Sequence, residues 1–444
     1  MPARWSTDSV LALAPDASSQ RTAVGLAASS SWTGTGAAGD VVWGACAGSG
    51  KNPYQVVVDV AGPAYKCSCP SRKFPCKHAL ALLLKWAQDG VPEQDEPAGY
   101  AREWKASRAA RAAGAATRAP GKAKDAAAAA RRSEQRSQRV TSGMAELEAW
   151  LGDQVRAGLE GAAGSGAHSR GPSHVEAVTA RMVDAQAPGV ANSLRRLATV
   201  PVSGQGWPGR LLAGYAQLHL LARAYGQLDA LPPGLAAVVR SRVGFTTSRE
   251  EVLAQPAVTD HWRVVGVHDL LDEHIPTRRV WLLGRDTGRF ALLLSFAVQG
   301  YFSGDPDAML VPGTELHADV HYYPGQPLLR AVTGKRHSGP ADSPGPGPGS
   351  ASSVTSLLES WAAALEQDPW LSEWPVLVLG TPVVAGGGWV LAAPAGEALP
   401  LLGRECGWPL LAVSGGHPVM VAGEWGRAGL TPLTVWHGDL AVRL

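Results

Sequence analysis

The spacing of apolar residues divides the first hundred positions into strand-like and helix-like segments. Residues 54–60 are mostly β-branched or aromatic, which predicts a strand. Residues 76–88 carry Leu80 and Leu83 at helical spacing, which predicts a helix that Gly90 ends. With a further strand-like stretch upstream, this region predicts a small unit of two strands and one helix.

The pattern changes twice after this unit. Residues 144–255 repeat apolar positions at helical spacing, whereas residues 262–330 contain runs typical of strands. A helix at 353–366 and several short strand-like pieces follow. The fold class predicted is therefore α+β and multidomain, with a small ββα unit near the N-terminus, a helical then strand-rich middle region, and a small β-rich C-terminal region.

Composition and length place the domain boundaries. A chain of 444 residues allows about three domains, and alternating Pro and Gly at 343–350 suits neither helix nor strand. The predicted units are an N-terminal region at 1–95 with its core at 54–88, a basic Ala/Arg-rich linker at 96–140, an α+β middle domain at 141–340, a Pro/Gly linker at 341–350 and a β-rich C-terminal domain at 351–444.

Three of the five cysteines and one histidine lie within twelve positions, at the spacing C-x-C-x6-C-x-H. In an extended chain Cys67 and Cys69 point to the same side, and Cys76 and His78 converge if they lie where the helix starts. Three thiolates and one imidazole complete a tetrahedral zinc site with no position open for water, so we predict one structural Zn²⁺. The alternative is a set of buried or disulfide-linked cysteines beside a chance histidine, and C-x-C is a poor spacing for a disulfide.

Basic residues surround the predicted ligands. Lys66, Arg72, Lys73 and Lys77 offset the net charge of −1 on the metal and its ligands and favour the thiolate forms. A unit this small has little apolar core. Because structural zinc supplies about 10–16 kcal/mol of apparent binding free energy in finger peptides, we expect the metal to decide whether the unit folds.

The sequence CSCP at 67–70, followed by FPCKHALAL at 74–82, resembles the SWIM zinc finger, whose pattern is C-x-C-x(n)-C-x-H on a ββα fold. The resemblance covers residues 54–88 and implies that Cys67, Cys69, Cys76 and His78 are the zinc ligands. It also implies binding to DNA or to a protein partner, including a component of an ATPase-associated system. No family resemblance is identified in residues 141–444.

Overall charge and composition bear on the cellular compartment of the protein and on the kinds of partner that it binds. The net charge is only +2, so no field of the whole protein draws it to nucleic acid. The richness in Ala, Gly, Pro and Arg is typical of a GC-rich bacterial genome. Neither a secretory signal pattern nor an apolar run of about 20 residues is present. These features predict a cytoplasmic protein without membrane contact, in which Cys46 and Cys406 are reduced; Cys46 is a minor candidate for an alternative metal contact.

Charge is concentrated in one segment. Residues 101–140 contain eleven basic and three acidic residues, a local net charge of +8. The segment is either a solvated, partly helical linker or an electrostatic arm for nucleic acid or an acidic partner. Within it, Arg131 and Arg132 join the basic residues near the ligands as candidate nucleic-acid or partner contacts.

Signals for catalysis are weak. His317, Asp319 and His321 would share one face of a strand, which fits a polar strand face, or a second metal or acid–base site together with His268 and Asp269. The sequence at 45–52 lacks the first glycine and the Ser/Thr of a phosphate loop. We therefore predict no catalytic residues.

The function predicted is a zinc-binding SWIM-finger adaptor without catalysis. Two other functions stay open at this stage. One is a nucleic-acid-binding protein that uses the finger and the basic arm, which a strong salt dependence of binding would reveal. The other is an enzyme hidden in residues 141–444, which a deep cavity holding several of the histidines would support. A small-molecule ligand is not identified.

Overall fold

The computed structural model of the protein describes residues 5–14, 17–48, 52–60, 64–71, 73, 75–116, 123–159, 174–270, 276–297, 305, 307–342, 347–349, 351–403 and 406–444. The helices are α1 (Thr7–Ala12), α2 (Ala17–Ala28), α3 (Lys77–Ala87), α4 (Gly99–Ala116), α5 (Ala123–Ala157), α6 (His174–Asp184), α7 (Pro188–Ala198), α8 (Trp207–Tyr225), α9 (Pro233–Val243), α10 (Arg249–Leu253), α11 (Val354–Gln367) and α12 (Gly407–Ser414).

The strands within the described residues form three sheets. The strands are β1 (Trp32–Ala38), β2 (Val41–Cys46), β3 (Tyr54–Asp59), β4 (Ala64–Cys67), β5 (Ala257–Leu270), β6 (Thr277–Gly284), β7 (Phe290–Phe296), β8 (Thr314–Tyr322), β9 (Arg330–Arg336), β10 (Ala341–Asp342), β11 (Glu373–Ala385), β12 (Gly388–Ala392), β13 (Ala398–Pro400), β14 (Val419–Gly426), β15 (Gly429–His437) and β16 (Leu440–Arg443). The predicted α+β class, with a helical middle and a strand-rich C-terminal region, is confirmed.

The N-terminal unit is larger than two strands and a helix. Strands β1 to β4 form an antiparallel sheet in chain order. Helices α1, α2 and α3 pack over one face, and the start of α4 covers the other through Ala101 and Trp104. The predicted linker therefore contributes to this unit, because residues 98–104 pack on the sheet.

Helix α3 ends in a Schellman motif. Asp89 adopts a left-handed conformation with φ 60°, and the N–H of Gly90 donates to the carbonyl of Lys85 at 2.7 Å. The N–H of Asp89 likewise donates to Trp86 at 3.2 Å. The prediction that Gly90 ends the helix holds for position, but Asp89 takes the left-handed turn.

Helices α5 to α9 surround one apolar core. Val140, Met144, Leu147 and Leu151 of α5 are buried in it, which is the helical face that their spacing predicts. Helix α5 runs continuously across the predicted boundary between residues 140 and 141. The segment before that boundary is thus continuous in structure with the bundle.

Strands β5 to β9 close a five-stranded barrel. The order around it is β5-β6-β7-β9-β8, and β8 pairs again with β5. All neighbouring pairs are antiparallel except β7 and β9. Trp262, Val280 and Leu293 fill the interior, while the short strand β10 extends from β8.

The C-terminal sheet, in the order β13-β12-β11-β14-β15-β16, packs against the barrel. Val265 and Trp281 on the outside of the barrel meet Leu433 and Trp436 of the sheet. Gly266 lies where the two approach most closely, since a Cβ there would lie 2.8 Å from Leu433 Cδ1. The predicted β-rich C-terminal region thus shares an apolar interface with the barrel.

Candidate metal centre

The first two candidate ligands lie where strand β4 ends. Cys67 is its last residue and pairs with Val56 of β3. Beyond it, Ser68 continues the contact: its N–H donates to the Gln55 carbonyl at 3.1 Å, and its Oγ accepts from the Gln55 N–H at 2.9 Å. The serine between the two cysteines therefore ties this turn to β3, a role that the C-x-C spacing alone did not reveal.

The other two candidate ligands lie where helix α3 begins. Cys76 is the N-cap residue with an extended backbone (φ −75°, ψ 162°), and His78 lies in the first turn. This change of backbone conformation lets both side chains face the same point, as the sequence predicts. Pro75 directly precedes this N-cap residue.

The ligand atoms of Cys67, Cys69, Cys76 and His78 all lie within 4.8 Å of one another. Cys67 Sγ lies 3.8 Å from His78 Nδ1, so this ring nitrogen faces the sulfurs. His78 is buried, with its ring centroid 5.0 Å from that of Tyr54. Four soft N and S donors at these separations fit one tetrahedral zinc ion, whose bonds to sulfur and nitrogen are about 2.0–2.3 Å long.

The pKa values of the three cysteine thiols differ because the thiols lie close together. A hydrogen bond with Cys76, together with burial, raises the pKa of the Cys67 thiol, and burial raises the pKa of Cys69. The same hydrogen bond from Cys67 lowers the pKa of Cys76 to about 4. Zinc binding requires the thiolate forms of the three cysteines, and the charge of a divalent cation would offset the negative charge that they carry.

The remaining cysteines lie apart from this cluster. Cys46 is buried in the core of the N-terminal unit, and its thiol donates to the Ala47 carbonyl at 3.6 Å. It does not join the four-residue group among the described residues. Cys406 lies in the C-terminal region, where its thiol is 2.9 Å from the Gly403 carbonyl.

The basic residues near the ligands do not all lie on the side of the sheet that carries the metal cluster. Lys66 pairs with Val57 and alternates with Cys67, so it lies on the opposite face from the metal cluster. Lys73 and Lys77 are exposed on the chain that joins and follows the ligands. Arg72 lies outside the described residues.

Three of the eleven basic residues in the segment 101–140 have partners elsewhere in the protein, within the part of the chain that the structure describes. Arg102 pairs with Glu96 at 3.1 Å, and Lys105 lies 3.9 Å from Asp40. Arg136 donates to the Gly244 carbonyl at 2.9 Å and lies 4.3 Å from the ring centroid of Phe245. Arg131 and Arg132 are exposed, whereas the side chains of residues 109–130 lie outside the described part of the chain.

The histidines of strand β8 lie on one face, as alternation predicts. The His317 ring stacks between those of His261 and His337, with centroids at 4.5 and 4.7 Å. Asp319 accepts hydrogen bonds from Thr259 at 2.6 Å and pairs with His337 at 2.9 Å. These partners form a polar strand face, and among the described residues this set is not one of the groups placed to hold a metal ion.

His268 and Asp269 have separate structural partners. His268 Nδ1 lies 2.8 Å from Glu424 Oε2, and Asp269 pairs with Arg278 at 2.6 Å. A second group of possible ligands, Asp260 with its neighbours His261 and Asp286, is also structural. The Asp260 carboxylate accepts from the N–H groups of His261, Asp286 and Thr287 and so organises the β6–β7 turn.

A closed Cys3His set on a strand end and a helix start defines a structural zinc finger. Residues 55–87 match the family model of the SWIM zinc finger, and residues 135–243 match that of the SWIM-associated four-helix bundle domain. The chain therefore contains a SWIM zinc finger and a SWIM-associated four-helix bundle domain; the cofactor of the finger is a structural zinc ion, and the finger is not catalytic by itself. Comparison with curated proteins and with solved structures found no match.

The second match corrects the expectation that residues 141–444 carry no recognisable family. Its span of 135–243 coincides with the helical core described above. Within the part of the chain that the structure describes, no helix has both the length and the apolar character needed to span a bilayer.

Proposed function

We propose that this protein is a non-enzymatic adaptor whose finger, held by zinc on Cys67, Cys69, Cys76 and His78, presents a surface to a protein partner. The burial of helix α3 carries this proposal. Eight of its eleven residues are buried between the sheet and helices α1 and α2. A helix that reads DNA needs an exposed face to enter the major groove, and α3 has none of that extent.

Charge at the metal end favours an acidic partner. Lys73 and Lys77 are exposed beside the cluster, and zinc with three thiolates and one imidazole carries a net charge of −1. The two lysines therefore place positive charge at the surface beside the cluster. The resemblance to bacterial SWIM proteins makes a component of an ATPase-associated system the first class of partner to test.

Binding to nucleic acid is the second candidate function, and the exposed pair Arg131 and Arg132 favours it. Its weakness is that other basic residues of the segment are occupied, as Arg102, Lys105 and Arg136 show. A phosphate would have to compete with these partners, of which the exposed ion pairs of Arg102 and Lys105 are weak and the contacts of Arg136 are partly buried. We therefore rank this function below protein docking.

The two functions are separated by two double variants of equal charge change. Lys73→Glu with Lys77→Glu alters the metal end, and Arg131→Glu with Arg132→Glu alters helix α5. In quantitative cross-linking from the source cells, we expect a specific partner to be lost with the first variant and kept with the second. Anisotropy of labelled DNA and RNA across salt is measured in parallel. Tight, salt-sensitive binding that the second variant abolishes would overturn the adaptor proposal.

A further inference from the structure

The strand order of the barrel is that of a fold that commonly binds ligands. Five strands in the order β5-β6-β7-β9-β8, with a parallel pair between β7 and β9, reproduce the strand order of the OB fold. Barrels of this kind bind oligonucleotides and oligosaccharides on the face of their second and third strands. Those strands here are β6 and β7. A fold alone does not establish a function, so a binding role depends on whether this face is accessible.

Most of that face is covered by the C-terminal sheet. Trp281 and Leu292 point outward from β6 and β7 and pack against Leu377, Leu433 and Trp436. Trp281 is only 2% exposed. A polymer therefore has no access to this part of the face in the described fold. Because the C-terminal sheet covers most of this face, only a small ligand could bind beside it.

Space for a small ligand lies beside the turn between β6 and β7. A cavity of about 500 Å³ lies between the barrel, the start of helix α11 and strand β11. This volume is within the range of about 300–1,000 Å³ that is typical of small-molecule sites. The apolar part of its wall is formed by Leu283, Phe290, Leu357, Trp374, Val376 and Leu377.

Among the described residues that line this cavity, the charged ones are both arginines, Arg263 and Arg285. Arg263 is 8% exposed and donates to the Gly347 carbonyl. Glu315 lies 3.8 Å from Arg263 and 2.9 Å from Arg285, and it is not part of the lining. The exposed Asp286 lies 3.8 Å from Arg285. Both guanidinium groups have carboxylate partners, but Glu315 and Asp286 lie outside the lining, so among the described residues the charged groups that face the cavity are the two guanidinium groups.

We propose that this cavity binds a small organic anion. Its flat apolar body would pack against Phe290, Leu357 and Trp374, and its carboxylate or phosphate group would contact Arg263 and Arg285. Guanidinium groups bind both kinds of anion with paired, charge-assisted hydrogen bonds. The site is independent of the zinc finger, so its failure would leave the adaptor proposal untouched.

The test uses isothermal titration calorimetry of the full chain with four probes. They are 1-naphthyl phosphate, 1-naphthoate, the neutral 1-naphthamide and inorganic phosphate. We expect the two aromatic anions to bind, and the amide and inorganic phosphate to bind at least about tenfold more weakly, since each lacks one half of the contacts. A stronger response to the phosphate than to the carboxylate, or the reverse, identifies the anion that the site prefers.

Two variants on the same turn locate the site. Arg285→Gln removes an exposed charge of the lining and should weaken binding of the aromatic anions roughly tenfold or more. Arg289→Gln makes the same change nearby, outside the lining, and should alter affinity less than about twofold. Melting curves confirm that both variants fold. Absence of binding at millimolar ligand, or equal binding by Arg285→Gln and wild type, would overturn the proposal.

Discussion

Replacing one zinc ligand tests how far the metal controls folding. The sequence predicts that the metal decides whether a small unit folds, but the structure gives that unit a larger apolar core. Helix α3 alone buries Leu80, Leu82, Leu83, Leu84 and Trp86, each at most 2% exposed. At about 1.5–3 kcal/mol for each side chain, their burial contributes on the order of 10 kcal/mol. This is comparable with the roughly 10–16 kcal/mol that zinc supplies in finger peptides.

We therefore expect Cys69→Ser to release zinc and to open the ligand segment without unfolding the helix. Bound zinc, measured by elemental analysis, should fall from one ion per chain to near zero. Hydrogen exchange should accelerate in residues 64–78, because the metal no longer joins the strand end to the helix start. Residues 80–86 should keep their protection, because their contacts with α1 and α2 remain.

Cys406→Ser is the matched control, since it removes a partly exposed thiol outside the cluster. It should leave zinc content and exchange unchanged. Retention of zinc by Cys69→Ser would refute the assignment of this ligand. Rapid exchange throughout residues 80–86 would show that the metal, and not the core, decides whether α3 folds.

Two further predictions concern the interface between the barrel and the C-terminal sheet. Burial acts to raise the pKa of Glu424, but its hydrogen bonds with His268 and Trp281 and the nearby charge of Arg279 together outweigh burial, so the pKa is lowered. The stabilisation that ionised Glu424 contributes is present above its unfolded pKa and is lost as the pH falls through its lower folded pKa. The melting temperature should therefore fall below about pH 4. In Glu424→Gln the melting temperature should depend less steeply on pH. Gly266→Ala should cost about 1–3 kcal/mol by thermal unfolding, because its Cβ meets Leu433; Gly25→Ala, with open space around it, should not destabilise the fold.

The metal site could be predicted from sequence because its geometry is local. Residues two apart on an extended chain face the same way, and the extended N-cap at Cys76 places His78 beside it. Helix α11 is equally predictable, since Ser353 caps it by accepting from the Ser356 N–H at 3.1 Å. Such features depend on a few neighbouring residues, which a single sequence contains.

Features that depend on distant pairing cannot be predicted in this way. Strand β1 is rich in Gly and Ala, which have low strand propensity, and it is a strand because it pairs with β2. The closure of the barrel depends on β8 returning to β5, which no periodicity reveals. The density of charge before residue 140 predicts a linker, but residues 123–140 belong to helix α5. The many alanines of this segment favour a helix, and the contact of Arg136 with the Gly244 carbonyl fixes it to the bundle.

The short helical turn at Asp307–Met309 joins the finger to the barrel. Ala308 and Met309 are buried in the core of the N-terminal unit, whereas the next residue, Leu310, is buried in the barrel. Arg278 of β6 donates to the Ala308 carbonyl at 2.8 Å, and Tyr65, two residues before the ligand Cys67, lies in the same core as the turn. Three consecutive residues thus link the packing beside the metal to the packing inside the barrel. After loss of zinc, we therefore expect hydrogen exchange to accelerate at this turn of the barrel before it accelerates in the helical bundle.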